Sequence, residues 1–69
     1  MDNKQMCKIA REAVYKHIGD VCDGDESVDV LAEEVYTLAF DALVDAGVAT
    51  NVASDVAQSI SVEYTAGME

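Results

Sequence analysis

Apolar and polar residues alternate along this chain with the period of amphipathic α-helices. The longest such pattern covers residues 27–46, where apolar residues recur every three or four positions. Two shorter patterns with the same period cover residues 3–18 and 51–65. We therefore predict an all-α fold, a small three-helix bundle, in one domain spanning residues 1–69 with the second helix at its centre.

Residues that are typical of helix ends flank the three patterns. Short polar side chains that accept hydrogen bonds from free backbone N–H groups precede each predicted helix, and glycine follows the first two. The predicted caps are Asp2 or Asn3, Ser27, and Thr50 or Asn51, and the predicted stops are Gly19 and Gly47.

Each predicted helix has one apolar face for the core. The first helix places Met6, Ala10, Val14 and Ile18 there, with His17 among them as a core or interface residue. The stripe of the second helix is the broadest and follows Leu31, Val35, Leu38 and Leu43. The third helix presents Val52, Val56, Ile60 and Tyr64, and its predicted outer face is Ser54, Asp55, Gln58, Ser61 and Thr65.

The second helix also carries a narrower apolar ridge, formed by Tyr36, Phe40 and Val44. A helix in a monomeric three-helix bundle does not usually need two apolar faces, so the ridge is either additional core or an interface. A domain of 69 residues has marginal stability, which self-association would increase. We expect a homodimer, formed through this ridge or through the apolar face of the third helix.

Charge is distributed very unevenly along the chain. Fourteen acidic residues face four basic ones, giving a formal net charge of −10. All four basic residues lie in the first predicted helix, so residues 19–69 carry only acidic groups. This charge disfavours direct binding to nucleic acid or to an anionic membrane, and it complements a partner with a basic surface. Adaptation to a salt-rich cytoplasm is a second explanation for it.

The acidic residues of the loop and the second helix are the candidate partner-binding site. Carboxylates spaced along a helix can imitate the phosphates of a nucleic acid toward a protein that binds one. The alternative is a solvated surface that only keeps a small apolar protein soluble. The candidate residues are Asp23, Asp25, Glu26, Asp29, Glu33, Glu34, Asp41 and Asp45.

Metal sites and catalysis are poorly supported. The carboxylates from Asp23 to Glu34 resemble the spacing of a calcium-binding loop, but Val28 occupies the position where its sharp turn needs glycine. Cys7, His17 and Cys22 lack the spacing of a zinc site, and a helix separates the two cysteines too far for a disulfide. A bundle of this size has little room for the concave site that catalysis needs. We predict no metal, no cofactor and no enzymatic activity.

Two functional hypotheses remain from the sequence. The first is a non-enzymatic acidic binding module that blocks or recruits a basic, nucleic-acid-handling partner, as a viral or mobile-element inhibitor of nucleic-acid-mimic type would. The second is a structural or assembly subunit that forms a homo-oligomer through apolar helix faces. The chain begins without the apolar segment of a signal peptide and has no membrane-length apolar run, so we expect a cytoplasmic protein.

Overall fold

A computed structural model describes residues 2–21 and 27–66 of the chain. They form three helices packed against each other: α1 (Asn3–Val21), α2 (Val28–Asp45) and α3 (Thr50–Thr65). The predicted all-α three-helix bundle is therefore confirmed. Helix α2 contacts each of the other two more extensively than they contact each other, so it is central to the bundle as predicted.

Helix α1 begins as predicted but ends later. The carboxylate of Asp2 accepts a hydrogen bond from the backbone N–H of Gln5 at 2.8 Å, and the Gln5 side chain accepts one in return from the Asp2 N–H at 3.3 Å. This reciprocal capping box satisfies two free donors. The predicted stop at Gly19 is wrong, because the helix continues through it to Val21. A single glycine weakens a helix without breaking it.

Both ends of helix α2 follow the predicted chemistry. The Ser27 hydroxyl accepts a hydrogen bond from the Val30 N–H at 3.3 Å, as an N-cap does. After the helix, Gly47 has a φ of 95°, in the left-handed region that favours glycine. The N–H groups of Gly47 and Val48 donate to the carbonyls of Val44 and Leu43, each at 3.0 Å. This Schellman motif satisfies carbonyls at the helix end.

The start of helix α3 differs from the prediction. Its N-cap is Ala49, and no side chain caps it, so neither Thr50 nor Asn51 has the predicted role. Both lie inside the first turn, because Ala49 already has the extended backbone of a cap and its carbonyl accepts from the Ala53 N–H at 2.8 Å.

The core consists mainly of small residues. Leu43 and Ile60 are the largest fully or almost fully buried side chains, and the others are alanine and valine. Small side chains allow helix axes to approach closely, because little volume separates the backbones. The buried apolar residues are Ala10, Val14, Val35, Ala39, Leu43, Ala53, Val56, Ala57 and Ile60.

Helix α3 is rotated relative to the predicted orientation. Ser61 and Thr65, expected on the outer face, are buried, and Ser54 is half-buried. The Ser61 hydroxyl donates to the carbonyl of Ala32 in α2 at 2.8 Å, and the Thr65 hydroxyl donates to the Ser61 carbonyl at 2.9 Å. Because both hydroxyls find acceptors, burying them costs little. Val52, expected in the core, is 36% exposed.

His17 is exposed, so the core alternative predicted for it is wrong, while the interface alternative stays a prediction. The core-facing line of α1 follows the buried Ala10 and Val14 and the partly buried Ile18 at steps of four residues, and His17 lies beside that line.

Candidate functional site

The predicted acidic site lies on the flanks of helix α2 that face away from the core. Asp29, Glu33, Asp41 and Asp45 are exposed, and Glu34 is half-buried. The predicted site residues Asp23, Asp25 and Glu26 lie outside the described residues. The structure therefore places five of the predicted carboxylates along one helix, over a rise of about 24 Å at about 1.5 Å per residue.

These carboxylates form two rows separated by about a third of the helix circumference. Asp29 and Glu33 are on the same side of α2 as Ala32 and Tyr36, which contact α3. At about 100° per residue, Glu34, Asp41 and Asp45 fall on the opposite flank, toward α1. A ligand lying along the outward surface of α2 would therefore meet negative charge on both of its sides.

No described cation neutralises these two rows. The one ion pair within the described ranges joins Arg11 of α1 to Glu63 of α3. Lys4, Lys8 and Lys16 are exposed and form no ion pair there. Arg11 does not contact the carboxylates of α2, because its side of α1 faces α3. Most of the negative charge on α2 remains available to an external partner.

The Arg11–Glu63 pair links the first and third helices. Two guanidinium nitrogens of Arg11 donate to the two carboxylate oxygens of Glu63, each at 2.8 Å. These hydrogen bonds and the adjacent charge lower the pKa of Glu63 and raise the pKa of Arg11. Beside the pair, the rings of Tyr15 and Tyr64 lie 5.7 Å apart. Both contacts hold α1 against α3, a structural role that the sequence did not predict.

The predicted self-association ridge divides into two parts in the structure. Tyr36 and Phe40 are half-buried, and both pack against the core. Their rings stack with centroids 5.9 Å apart, and the Tyr36 hydroxyl lies 2.7 Å from that of Ser54 in α3. Val44 is exposed and lies on the outward surface. The two aromatic residues thus serve as additional core, and their role in self-association stays a prediction.

A stripe of β-branched residues, of which only Val44 belonged to a predicted surface, runs along the middle of the outward surface. Val30 and Val44 are 45% and 38% exposed, and Thr37, also exposed, lies midway between them. At about 100° per residue, these three residues lie opposite Val35, Ala39 and Leu43 in the core. Their regular seven-residue spacing is the sequence signal that identifies the stripe. We call Val30, Thr37 and Val44 the outward stripe.

The residues considered for metal binding or redox chemistry are dispersed in the described part. Cys7 is half-buried with a free thiol and His17 is exposed, while Cys22 lies outside the described residues. Among residues 2–21 and 27–66, no three His, Cys, Asp or Glu side chains come together in a way that would hold a metal ion. None of the described helices combines the length and the apolar composition needed to span a membrane.

Comparison of the chain with protein-family models, with curated proteins and with solved structures finds no match.

Proposed function

We propose that this protein is a non-enzymatic acidic binding module that blocks or recruits a partner with a basic, nucleic-acid-handling surface. The observation that carries the proposal is the set of carboxylates on α2, which lie in two rows, are exposed except for the half-buried Glu34, and are unpaired with any described cation. Basic groups of a partner that pair with these carboxylates would reduce the electrostatic repulsion within the protein, whose net charge is −10.

The position of the charge supports binding over solubility alone. Solubility requires only that charge be spread over the surface. Here the basic side chains are concentrated on α1, whereas the outward flanks of α2 carry carboxylates and no base. Such separation gives the molecule an oriented electric field, which accelerates and orients encounters with a basic partner.

The competing hypothesis, a homo-oligomeric assembly subunit, has weaker support from the same geometry. Tyr36 and Phe40 are already partly covered by contacts within the protein, which leaves less apolar area for a second copy. Pairing the outward surfaces of two α2 helices would also bring their carboxylates together, and like charges at an interface cost several kcal/mol. A homodimer through this surface would therefore have to offset that repulsion with its apolar contacts.

Affinity capture from the native host tests the proposed function with two variants of equal charge. The first, the α2-neutral variant, carries Glu33→Gln, Asp41→Asn and Asp45→Asn. The second, the charge-matched control, carries Glu12→Gln, Asp20→Asn and Asp55→Asn, which neutralise exposed acids on α1 and α3. Each set of three substitutions raises the net charge from −10 to −7 (−10 plus three).

We expect the wild type and the charge-matched control to retain the same basic proteins at low salt and to release them at high salt. The α2-neutral variant should retain them poorly, because its net charge is the same but its two rows are reduced. The proposal fails if no basic protein is retained by the wild type at low salt, or if both variants retain it equally.

A further inference from the structure

The outward stripe indicates which class of partner would fit the surface of α2. Val30 and Val44 are exposed apolar residues in the middle of a solvent-facing surface, where a helix of a monomeric protein usually carries charged or polar residues. β-branched residues are also poorer helix formers than alanine, glutamate or lysine. Neither property is explained by the contacts of the bundle itself.

Thr37 extends the apolar character of the stripe. Its hydroxyl donates to the carbonyl of Glu33 at 3.0 Å, so the donor is satisfied within the helix. Val30, Thr37 and Val44 therefore form three similar β-branched positions at intervals of two helical turns, over a length of about 21 Å at about 1.5 Å per residue. Residues that repeat every seven positions lie along one line of a helix, and they correspond to one of the two apolar positions per heptad that form the seam between paired helices.

Charge complementarity determines which helix fits this seam. The stripe is flanked by Asp29 and Glu33 on one side and by Glu34, Asp41 and Asp45 on the other. In paired helices, charged residues beside the apolar seam select the partner. A complementary helix would carry lysine or arginine on both sides of its own apolar stripe.

A second copy of this chain does not meet that requirement. Its α2 would oppose carboxylate with carboxylate. Its α1 has exposed lysines, but the surface between them carries Gln5, Glu12 and Gly19 and no apolar stripe. We propose that the outward surface of α2 binds a basic amphipathic α-helix of a partner protein, with the apolar residues of that helix packed on Val30, Thr37 and Val44. This inference rests on the proposed function, and it specifies the form of the partner.

Two synthetic peptides of about 18 residues, a length that covers the stripe, provide the test. One is an amphipathic helix with leucines on a heptad seam and lysine or arginine on both sides. The other has the same composition in an order that distributes the leucines around the helix. Binding to the 69-residue protein is measured by fluorescence anisotropy at about 0.15 M salt, where long-range charge effects are screened beyond roughly 8 Å.

We expect the amphipathic peptide to bind roughly tenfold or more tightly than the scrambled one, because only its leucines can be buried on the stripe. The double variant Val30→Gln, Val44→Gln keeps the charge and favours the helix. This double variant should bind the amphipathic peptide only slightly more tightly than the scrambled one. Its affinity for the scrambled peptide should equal that of the wild type. Circular dichroism checks that the helical content is retained.

Equal binding of the two peptides, or an unchanged preference in the double variant, overturns the inference. If both peptides then still bind the wild type more tightly than the α2-neutral variant, the acidic binding function stands without the helix-specific form. If neither peptide distinguishes those two proteins, the proposed function fails as well. A dimer of the protein alone at neutral pH that the double variant abolishes would assign the stripe to a second copy and overturn the inference.

Discussion

At the residue scale, the two described glycines have opposite conformational requirements. Gly19 lies within helix α1, and a Cβ atom added there meets no other atom within 4 Å. Gly47 also has space for a Cβ, but its φ of 95° is one that side-chain-bearing residues rarely adopt. Replacement by alanine should therefore have opposite effects on the stability of the fold at the two positions.

We predict that Gly19→Ala raises the free energy of unfolding by about 0.5–1 kcal/mol, because alanine is the better helix former. Gly47→Ala should lower it by about 1 kcal/mol or more, because the left-handed backbone of the Schellman motif is then strained. Urea denaturation of both variants measures the difference. Stabilisation by Gly47→Ala would contradict the described end of α2.

A second residue-scale prediction concerns the pH dependence of stability. The folded-state pKa of Glu63 is lowered by Arg11, so the pair stabilises the fold above the ordinary glutamate value of 4.5. This contribution is lost as the pH falls through the lowered value. Glu63→Gln should therefore be less stable than the wild type at pH 7, and the difference should shrink as the medium is acidified below 4.5.

Glu12→Gln is the control for this measurement, because Glu12 is also exposed on the surface but pairs with no cation in the described ranges. Both variants change the net charge by one, so long-range repulsion changes similarly. Urea denaturation at several pH values compares them. A stability difference for Glu63→Gln that stays constant on acidification would show that the pair is not formed in solution.

At the scale of elements, the contact between α2 and α3 depends on small side chains with satisfied hydroxyls. Ser61 is buried between the helices, and its hydroxyl donates to the backbone carbonyl of Ala32. Ser59, two residues earlier, is exposed, and its hydroxyl donates to the backbone carbonyl of Asp55 in its own helix. Replacing each serine with alanine distinguishes two contributions to stability. Both substitutions change the helix propensity, but only the one at Ser61 removes an interhelical hydrogen bond.

Ser61→Ala should lower the free energy of unfolding by about 1 kcal/mol, the typical net value of a hydrogen bond. Ser59→Ala should leave it within about 0.5 kcal/mol or raise it slightly, because alanine favours the helix. Thermal and urea unfolding report both. Equal effects of the two substitutions would mean that Ser61 is not buried against α2 in solution.

Sequence periodicity predicted α2 more accurately than α3 for a physical reason. Helix α2 has strong signals at both ends, Ser27 and Gly47, and large apolar residues such as Leu43 identify its core face. The core-facing and solvent-facing sides of helix α3 differ little in polarity, because alanine, serine and threonine are suited to both the core and the surface. Its orientation depends on close packing and on the acceptor for Ser61, and neither is visible in a one-dimensional pattern.

The candidate site was predictable in part for the same reason. Exposed carboxylates follow from helical periodicity, so the positions of Glu33 and Asp41 agree with the structure. The Arg11–Glu63 pair joins residues 52 positions apart, and its formation depends on how α1 meets α3. The partial burial of Tyr36 likewise depends on the position of Ser54 in α3, which helical periodicity does not predict.

At the scale of the whole molecule, charge repulsion should limit stability. The net charge is −10, and the one ion pair of the described ranges is solvent-exposed. Salt screens repulsion between distant charges more strongly than it weakens a contact pair. The melting temperature should therefore rise between about 10 mM and 300 mM sodium chloride, across which the Debye length falls from about 30 Å to well below 10 Å.

The α2-neutral variant supplies the comparison for the salt effect. It should melt at a higher temperature than the wild type at low salt and should gain less from added salt, because part of the repulsion has been removed. Differential scanning calorimetry measures both proteins. A melting temperature of the wild type that falls with salt would mean that ion pairs outweigh repulsion in this molecule.

The central claim is that the outward surface of α2, and not net charge alone, binds the partner. Isothermal titration of the captured basic protein into the α2-neutral variant and the charge-matched control tests it most directly, because the two variants carry the same charge. We predict that the control binds with an affinity close to that of the wild type and the α2-neutral variant at least about tenfold more weakly, as expected if each lost contact is worth a fraction of a kcal/mol or more. Equal affinities for the two variants would contradict the claim.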